Sequence, residues 1–322
     1  MKKLAKIGIT LCMVIMVYTQ NANAARLLIP GGQVLGLALE DNTVTVAAFD
    51  EETGQTAKAA GLQIGDRIAQ VNEKKIASAE DVKKALMQSG GTVDITIFRE
   101  NKEKKIRVSP AITNYGPRLG VFLKEGVTGI GTVTWYEPET GVYGALGHGV
   151  NTQKGGLLQL RRGQAFETSV ASVKKGMAGK PGQLVGSLHA ANPLGSIQKN
   201  TPQGVFGKMD KKPVGQSLPV ADKEEIHTGA ATIRSTVRDN TLGEYSVEIL
   251  KIYPNSRDGG RNLLLKVTDE NLLNITSGIV QGMSGSPIIQ DGKLVGAVTH
   301  VLVNDPTTGY GIFIENMLDA AA

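Results

Sequence analysis

Residues 281–299 read Gln281-Gly282-Met283-Ser284-Gly285-Ser286-Pro287-Ile288-Ile289-Gln290-Asp291-Gly292-Lys293-Leu294-Val295-Gly296-Ala297-Val298-Thr299. Two short apolar runs flank the turn signal Gln290-Asp291-Gly292-Lys293, so the stretch predicts a pair of strands. Just ahead of them stands a serine next to a glycine. A serine hydroxyl is a poor nucleophile until a neighbouring imidazole takes its proton. Gly282 can adopt the positive φ that lets its own N–H and that of Ser284 point together at a developing oxyanion. The imidazole expected to serve Ser284 is His148, in Gly144-Ala145-Leu146-Gly147-His148-Gly149. Strand-like runs from Gly129 to Tyr136 and from Val142 onward flank the turn residues Glu137 to Gly141, so His148 arrives at the end of a hairpin with glycine on both sides.

His189 and His227 lie in glycine- and charge-rich stretches with no strand to deliver them, and His300 lies beyond the second apolar run, where it reads as a surface or packed histidine. None of the four has metal-ligand spacing, so no zinc chemistry and no catalytic metal is expected. Gly126, Gly129 and Gly131 lack the strand–helix context of a dinucleotide loop, and no cofactor is expected. A histidine base also needs an acceptor on its second nitrogen. Asp269 precedes Ser284 by 15 residues and reads equally as a helix N-cap. Asp239, Glu244 and Glu248 lie in the middle of this region and remain alternatives.

Lys plus Arg number 35 against 30 Asp plus Glu in 322 residues, and three of the lysines, Lys2, Lys3 and Lys6, sit at the extreme N-terminus. The remainder is close to neutral, which excludes the concentrated basic face of a nucleic-acid binder. The length suggests two domains. The chain has 40 glycines and few aromatics, a composition for short strands and tight turns. Residues 1–24 read as a signal peptide or temporary membrane anchor: the three lysines, the apolar run Ile7 to Tyr18, then Ala22-Asn23-Ala24. Twelve residues rise only ~18 Å as a helix, short of a ~30 Å hydrocarbon core. The one cysteine, Cys12, lies inside that run, so the exported part has no disulfide and no thiolate chemistry.

Between residues 25 and 109 the pattern Ala57-x-x-Ala60-Gly61-Leu62-x-x-Gly65-Asp66-x-Ile68-x-x-Val71-Asn72 is followed by a helix capped by Ser78 and by the alternating run Val93, Ile95, Ile97. This stretch resembles a PDZ domain of the bacterial type. The resemblance implies a Φ-Gly-Φ loop whose N–H groups receive a peptide C-terminus, and it assigns that loop to Leu35-Gly36-Leu37 with Val34 before it. Gly282-x-Ser284-Gly285-x-Pro287 with its two following strands resembles the nucleophile region of chymotrypsin-like serine peptidases. The expected fold is therefore mainly β with a small α+β module: a PDZ domain followed, over 110–322, by a chymotrypsin-like double β-barrel.

The leader, the Leu28-Ile29-Pro30-Gly31-Gly32-Gln33 entry, and the segments around His148 and Ser284 together resemble the stage IV sporulation protein B peptidase family. That resemblance implies a catalytic triad of His148, Asp269 and Ser284, and places Thr299 on the strand walling the substrate pocket. It implies secretion by a forespore into the space between its two membranes, self-cleavage in trans governed by the PDZ module, and cleavage of the extracytoplasmic part of a membrane-bound regulator. That cleavage would release an intramembrane protease that activates a late sigma factor. Two other readings fit the same motifs: a catalytically dead adaptor that binds peptide C-termini, and a quality-control protease, a type that usually carries its PDZ domain after the catalytic one.

Overall fold

The computed structural model describes residues 26–152, 155–255 and 260–322, so the leader expected over 1–24 lies outside the described residues. Two six-stranded barrels form the larger unit. In the first, Val34–Glu40, Val127–Tyr136, Val142–Ala145, Gly204–Met209, Gln183–Thr201 and Arg162–Lys174 pair in that order, and the last pairs back with the first. The second closes through Gly229–Arg238, Thr241–Ile252, Leu263–Val267, Asp305–Phe313, Lys293–Leu302 and Pro287–Gln290. The expected hairpin Pro287–Gln290/Lys293–Leu302 is present, with Asp291 and Gly292 in the left-handed region at the turn. Both faces of this hairpin are buried, from Pro287 to Gln290 and from Leu294 to Thr299. The fold class is the one the sequence predicts.

The small module has its own sheet, ordered Val121–Lys124, Val44–Phe49, Arg67–Val71, Val93–Arg99, Lys102–Val108. The helix Ala79–Met87 covers it, burying Val82, Ala85 and Leu86 against Ile68, Ile95 and Ile97. The helix starts where the sequence predicts: Ser78 is extended and its hydroxyl accepts from the Asp81 N–H at 3.1 Å, while the Asp81 carboxylate accepts from Ala77 N–H. Asp66, buried in the turn after Gly65, holds Arg99 through two 2.7 Å bonds.

The strand Val34–Glu40 is a correction. Val34, Leu35, Gly36 and Leu37 are expected as the ligand loop of the small module, but they belong to a strand that pairs along one edge with Val127–Thr132 and along the other with Arg162–Glu167. Leu35, Leu37 and Leu39 sit in the core of the first barrel, and Val34 packs at the second. Gly36 is required by packing, because a Cβ there would lie 2.4 Å from Thr168 Oγ1 and 2.7 Å from Leu188 Cδ1. The small module is thus inserted between two strands that pair directly. Its sheet runs from Val44 to Lys124, past the expected boundary at 109, and takes its edge strand from the far side of the hairpin Ala111–Thr113/Gly116–Arg118.

Removing this strand's side chains should cost the barrel. Leu35→Ala is expected to lower the unfolding free energy by about 2–5 kcal/mol, read from urea melts. A loss below about 1 kcal/mol would place Leu35 outside the core.

Candidate active site

The hairpin Val127–Tyr136/Val142–Ala145 delivers the histidine. Its turn is tied by Gly141 N–H to Glu137 O and by Thr140 Oγ1 to the Glu137 carboxylate. After Ala145 the chain turns through Leu146 and Gly147, with φ of 69° and 68°. Glycine is needed at 147, since a Cβ would meet Thr299 Cγ2 at 2.8 Å. His148 Nδ1 lies 3.0 Å from Gly149 O. A carbonyl can only accept, so Nδ1 carries the proton and Nε2 the lone pair. Burial pushes the imidazole below its usual range, against the smaller opposing effect of the Gly149 bond. It is therefore neutral at neutral pH, as a base must be.

The serine loop is built from reversed turns. Met283 N–H bonds Val280 O, Ser286 N–H bonds Met283 O, and Gly285 N–H bonds Val298 O at 2.7 Å. Gly282 and Gly285 take φ of 99° and 97°, and a Cβ on Gly285 would stand 2.0 Å from Thr132 O. Among the described residues, neither the Gly282 N–H nor the Ser284 N–H donates to a protein partner, so both remain available to an oxyanion. Ser284 Oγ donates to Thr299 O at 2.8 Å. Thr299, buried, spends its own hydroxyl on Gly260 O and Tyr310 O. The threonine thus contributes its carbonyl to the Ser284 hydroxyl and its side chain to the fold.

His148, Gly282, Ser284 and Thr299 line one cleft of about 540 Å³ between the barrels. Its walls are mostly aliphatic, among them Leu37, Ile130, Val150, Ile279, Val301 and Val303. No acidic side chain lines it, and no cluster able to hold a metal exists among the described residues.

The structure does not bring Asp269 to His148. Its carboxylate caps the helix Glu270–Thr276, accepting from Leu272 N–H at 2.9 Å and from Ser246 N–H at 3.4 Å. A helix begins within the 15-residue interval before the serine, and its first N–H groups need an acceptor. The alternatives fare no better: Glu244 pairs with Arg234, Asp239 with Arg238, and Glu248 is exposed on its strand. His189 bonds Ser169 Oγ on the exposed surface and His227 pairs with Asp291. His300 is a second correction. It lines the cleft, with its ring centroid 5.2 Å from that of His148.

Two residues that the sequence reasoning missed organise the site. Thr132 donates from N to Ser284 O at 2.9 Å and from Oγ1 to Gly282 O at 2.8 Å. Asn200 clamps the chain after His148, accepting from Val150 N–H and donating to Val150 O and Leu158 O, each at 2.8 Å. No motif marks either residue.

The module's groove also lies elsewhere than Leu35-Gly36-Leu37. A cavity of about 500 Å³ opens between the helix Ala79–Met87 and the edge strand Val121–Lys124, lined by Val82, Leu86, Leu119, Val121 and Leu123. A second Φ-Gly-Φ stretch, Leu119-Gly120-Val121, enters that strand, with Gly120 at φ 66°. The same short pattern occurs twice in the chain, and only the pairing distinguishes the two.

A family model described as SpoIVB peptidase S55 matches residues 115–318, more than half of the chain, and one for the PDZ domain matches 33–109. Among solved structures, the chain is similar to the Rv3671c protease from M. tuberculosis in its active form, at 13% identity and TM-score 0.38, over 61% of this chain and 75% of that one. It is also similar to the HtrA-type protease AlgW with a decapeptide, at 13% identity and TM-score 0.38, over 65% and 57%. The PDZ domain of the SdrC-like protein from Listeria monocytogenes matches at 22% identity and TM-score 0.22, over 26% and 87%. No curated protein matches.

The role of Asp269 can be tested because asparagine caps a helix about as well as aspartate. Asp269→Asn should leave the melting temperature within a few degrees of wild type and the rate of Ser284 labelling by a fluorophosphonate within about threefold. A carboxylate that oriented His148 would instead lose on the order of 10⁴ in rate.

Proposed function

The chain belongs to the SpoIVB peptidase S55 family, and from that premise we propose that it cleaves peptide bonds with Ser284 as nucleophile and His148 as general base. At the coarser level it is a PDZ-containing serine peptidase of that family. The observation that carries the finer reading is the single apolar cleft holding a neutral histidine, a serine hydroxyl and two unspent N–H groups. At rest the Ser284 hydroxyl is parked on Thr299 O. In attack it turns toward His148 Nε2, which takes the proton as Oγ bonds the substrate carbonyl carbon. The carbonyl electrons move to oxygen, which the Gly282 and Ser284 N–H groups receive. His148 then gives its proton to the leaving amine, and water, activated by the same nitrogen, hydrolyses the acyl-enzyme.

The substrate we propose is the extracytoplasmic part of a membrane-anchored regulator, met in the space between two forespore membranes. Cleavage there would release an intramembrane protease and so activate a late sigma factor. Self-cleavage in trans comes first, and the groove beside Val121–Lys124 receives peptide C-termini, the peptide adding as a strand to that free edge. The leader Lys2 to Ala24 supports export and contact with the membrane before processing.

Wild-type protein should label at Ser284 with a fluorophosphonate and cleave an added Ser284→Ala chain, while Ser284→Ala alone stays intact and unlabelled. A wild-type chain that takes no probe would instead support a dead adaptor. The pH dependence follows from His148. Its folded pKa is lowered, so the active, neutral form persists on acidification. The labelling rate should hold to below pH 6.5, the ordinary histidine value, and fall only beneath it. A fall beginning well above pH 6.5 contradicts the buried base.

A further inference from the structure

The groove of the small module is closed at one end. The helix Ala79–Met87 and the strand Val121–Lys124 run along it in opposite directions. Ala79 N–H bonds the Glu125 carboxylate, just past the last residue of the strand. At the other end Gly116 lies so near the helix that a Cβ would stand 2.6 Å from Met87 Sδ. The hairpin Ala111–Thr113/Gly116–Arg118 therefore packs across the Met87 end, and Tyr115, Pro117 and Arg118 join the lining there. An extended peptide added beside Val121–Lys124 must stop at this wall. The Leu119 and Gly120 N–H groups, at the same end, donate to no protein partner among the described residues. A terminal carboxylate is a group they can hold.

Side chains give the groove a charge. Ala79, Val82, Lys83 and Leu86 recur three and four apart, so one face of the helix looks into the cavity. Val82, Leu86 and Leu119 are buried and make its closed end apolar. Three charged side chains line the cavity, Asp50, Lys83 and Arg118. The Asp50 carboxylate is spent on Thr53, accepting from its N–H at 2.8 Å and from its Oγ1 at 2.7 Å. Arg118 lies near enough to act on that carboxylate and stacks over the Tyr115 ring at 5.6 Å. These two charges answer each other, and Lys83 is left over. Among the described residues no hydrogen bond or ion pair involves Lys83. Glu125, beyond the far end, is already held by Ala79 N–H and Arg161.

Spacing says which ligand residue meets that cation. Side chains on one face of an added strand recur every ~6.8 Å, and a helix rising ~1.5 Å per residue covers that distance in about four to five residues. With the last side chain in the apolar end beside Leu86, the side chain two residues earlier faces the turn that carries Val82 and Lys83. We propose that the groove selects peptide C-termini with an acidic side chain two residues before an aliphatic last residue, and that Lys83 makes the selection. This rests on the groove receiving peptide C-termini at all.

The test is fluorescence anisotropy of labelled peptides with the full chain carrying Ser284→Ala, which leaves the peptides uncut. The peptides read Gly-Ser-Gly-X-Ser-Val with a free C-terminus, X being Glu, Gln or Lys, and the Glu peptide is also made with an amidated end. The Glu peptide should bind about three- to fivefold more tightly than the Gln peptide, the scale of a partly exposed ion pair, and the Lys peptide should bind most weakly. The differences should shrink as salt approaches about 1 M. Lys83→Glu, at an exposed position of the helix, should invert the order, with folding checked by thermal melting. Where that chain does not fold, Lys83→Gln should remove the Glu preference. Equal binding of the three free-ended peptides, or a Glu preference that survives either substitution, overturns this inference and leaves the groove reading standing. Amidation should weaken binding about tenfold or more, through the lost bonds to a charged group. An amidated peptide that binds as tightly as the free-ended one, or no binding by any peptide, overturns the groove reading and this inference with it.

Discussion

Thr132 is the point on which the site hangs. It is fully buried on a strand of the first barrel, and it makes three bonds, two of them across the interface between the barrels. Its N–H and hydroxyl hold the carbonyls of Ser284 and Gly282. Its own carbonyl accepts from Leu146 N–H at 3.2 Å, two residues before His148. One peptide unit and one hydroxyl therefore set the serine loop against the histidine turn. With little water available to replace them, the loss of any one leaves a buried polar group unpaired. His148 and Ser284 are carried on turns with positive φ, at Leu146, Gly147, Gly282 and Gly285. A leucine in that region persists only where surrounding bonds over-determine it, and the Leu146 N–H bond to Thr132 O is one of them.

The inserted module leaves and re-enters the barrel at nearly one point. Arg161 N–H bonds Glu40 O, and the Arg161 guanidinium pairs with Glu40 at 2.9 Å and with Glu125 at 3.5 Å. Gly126 takes φ of 121° and approaches so closely that a Cβ would lie 1.9 Å from Leu39 O. Glu125 also accepts from Ala79 N–H, the first residue of the groove helix. Partly exposed ion pairs of this kind contribute little to stability. Their importance is geometric, because the edge strand of the groove runs into a barrel strand with only Glu125 and Gly126 between them.

Much of the site was legible before any coordinates. Ser284 and His148 stand in local sequence contexts that dictate their own turns, and those turns form as the glycines predict. The PDZ core was legible as well, because Ile68, Val71, Ile95 and Ile97 alternate in strands that pair with near neighbours. The misreadings have a common cause. Leu35-Gly36-Leu37 and Leu119-Gly120-Val121 are the same local pattern, and the choice between them is made by partners at residues 127–132 and 162–167 for one and at 45–49 for the other. Asp269 reads locally as a cap, and only the family resemblance makes it a triad acid; in the structure it accepts an orphan N–H of its helix.

The amino-acid sequence by itself determined the element types, the two-part architecture and the turns that carry His148 and Ser284, because strand periodicity, turn residues and glycine freedom act over a few neighbouring residues. Only the tertiary structure decided which strand closes the first barrel, where the cavity of the small module opens, what stands behind His148 and that His300 faces it. Each of those depends on hydrogen bonds and packing between residues tens to more than a hundred positions apart, and chain-local physics carries no information about such pairings until the barrels close.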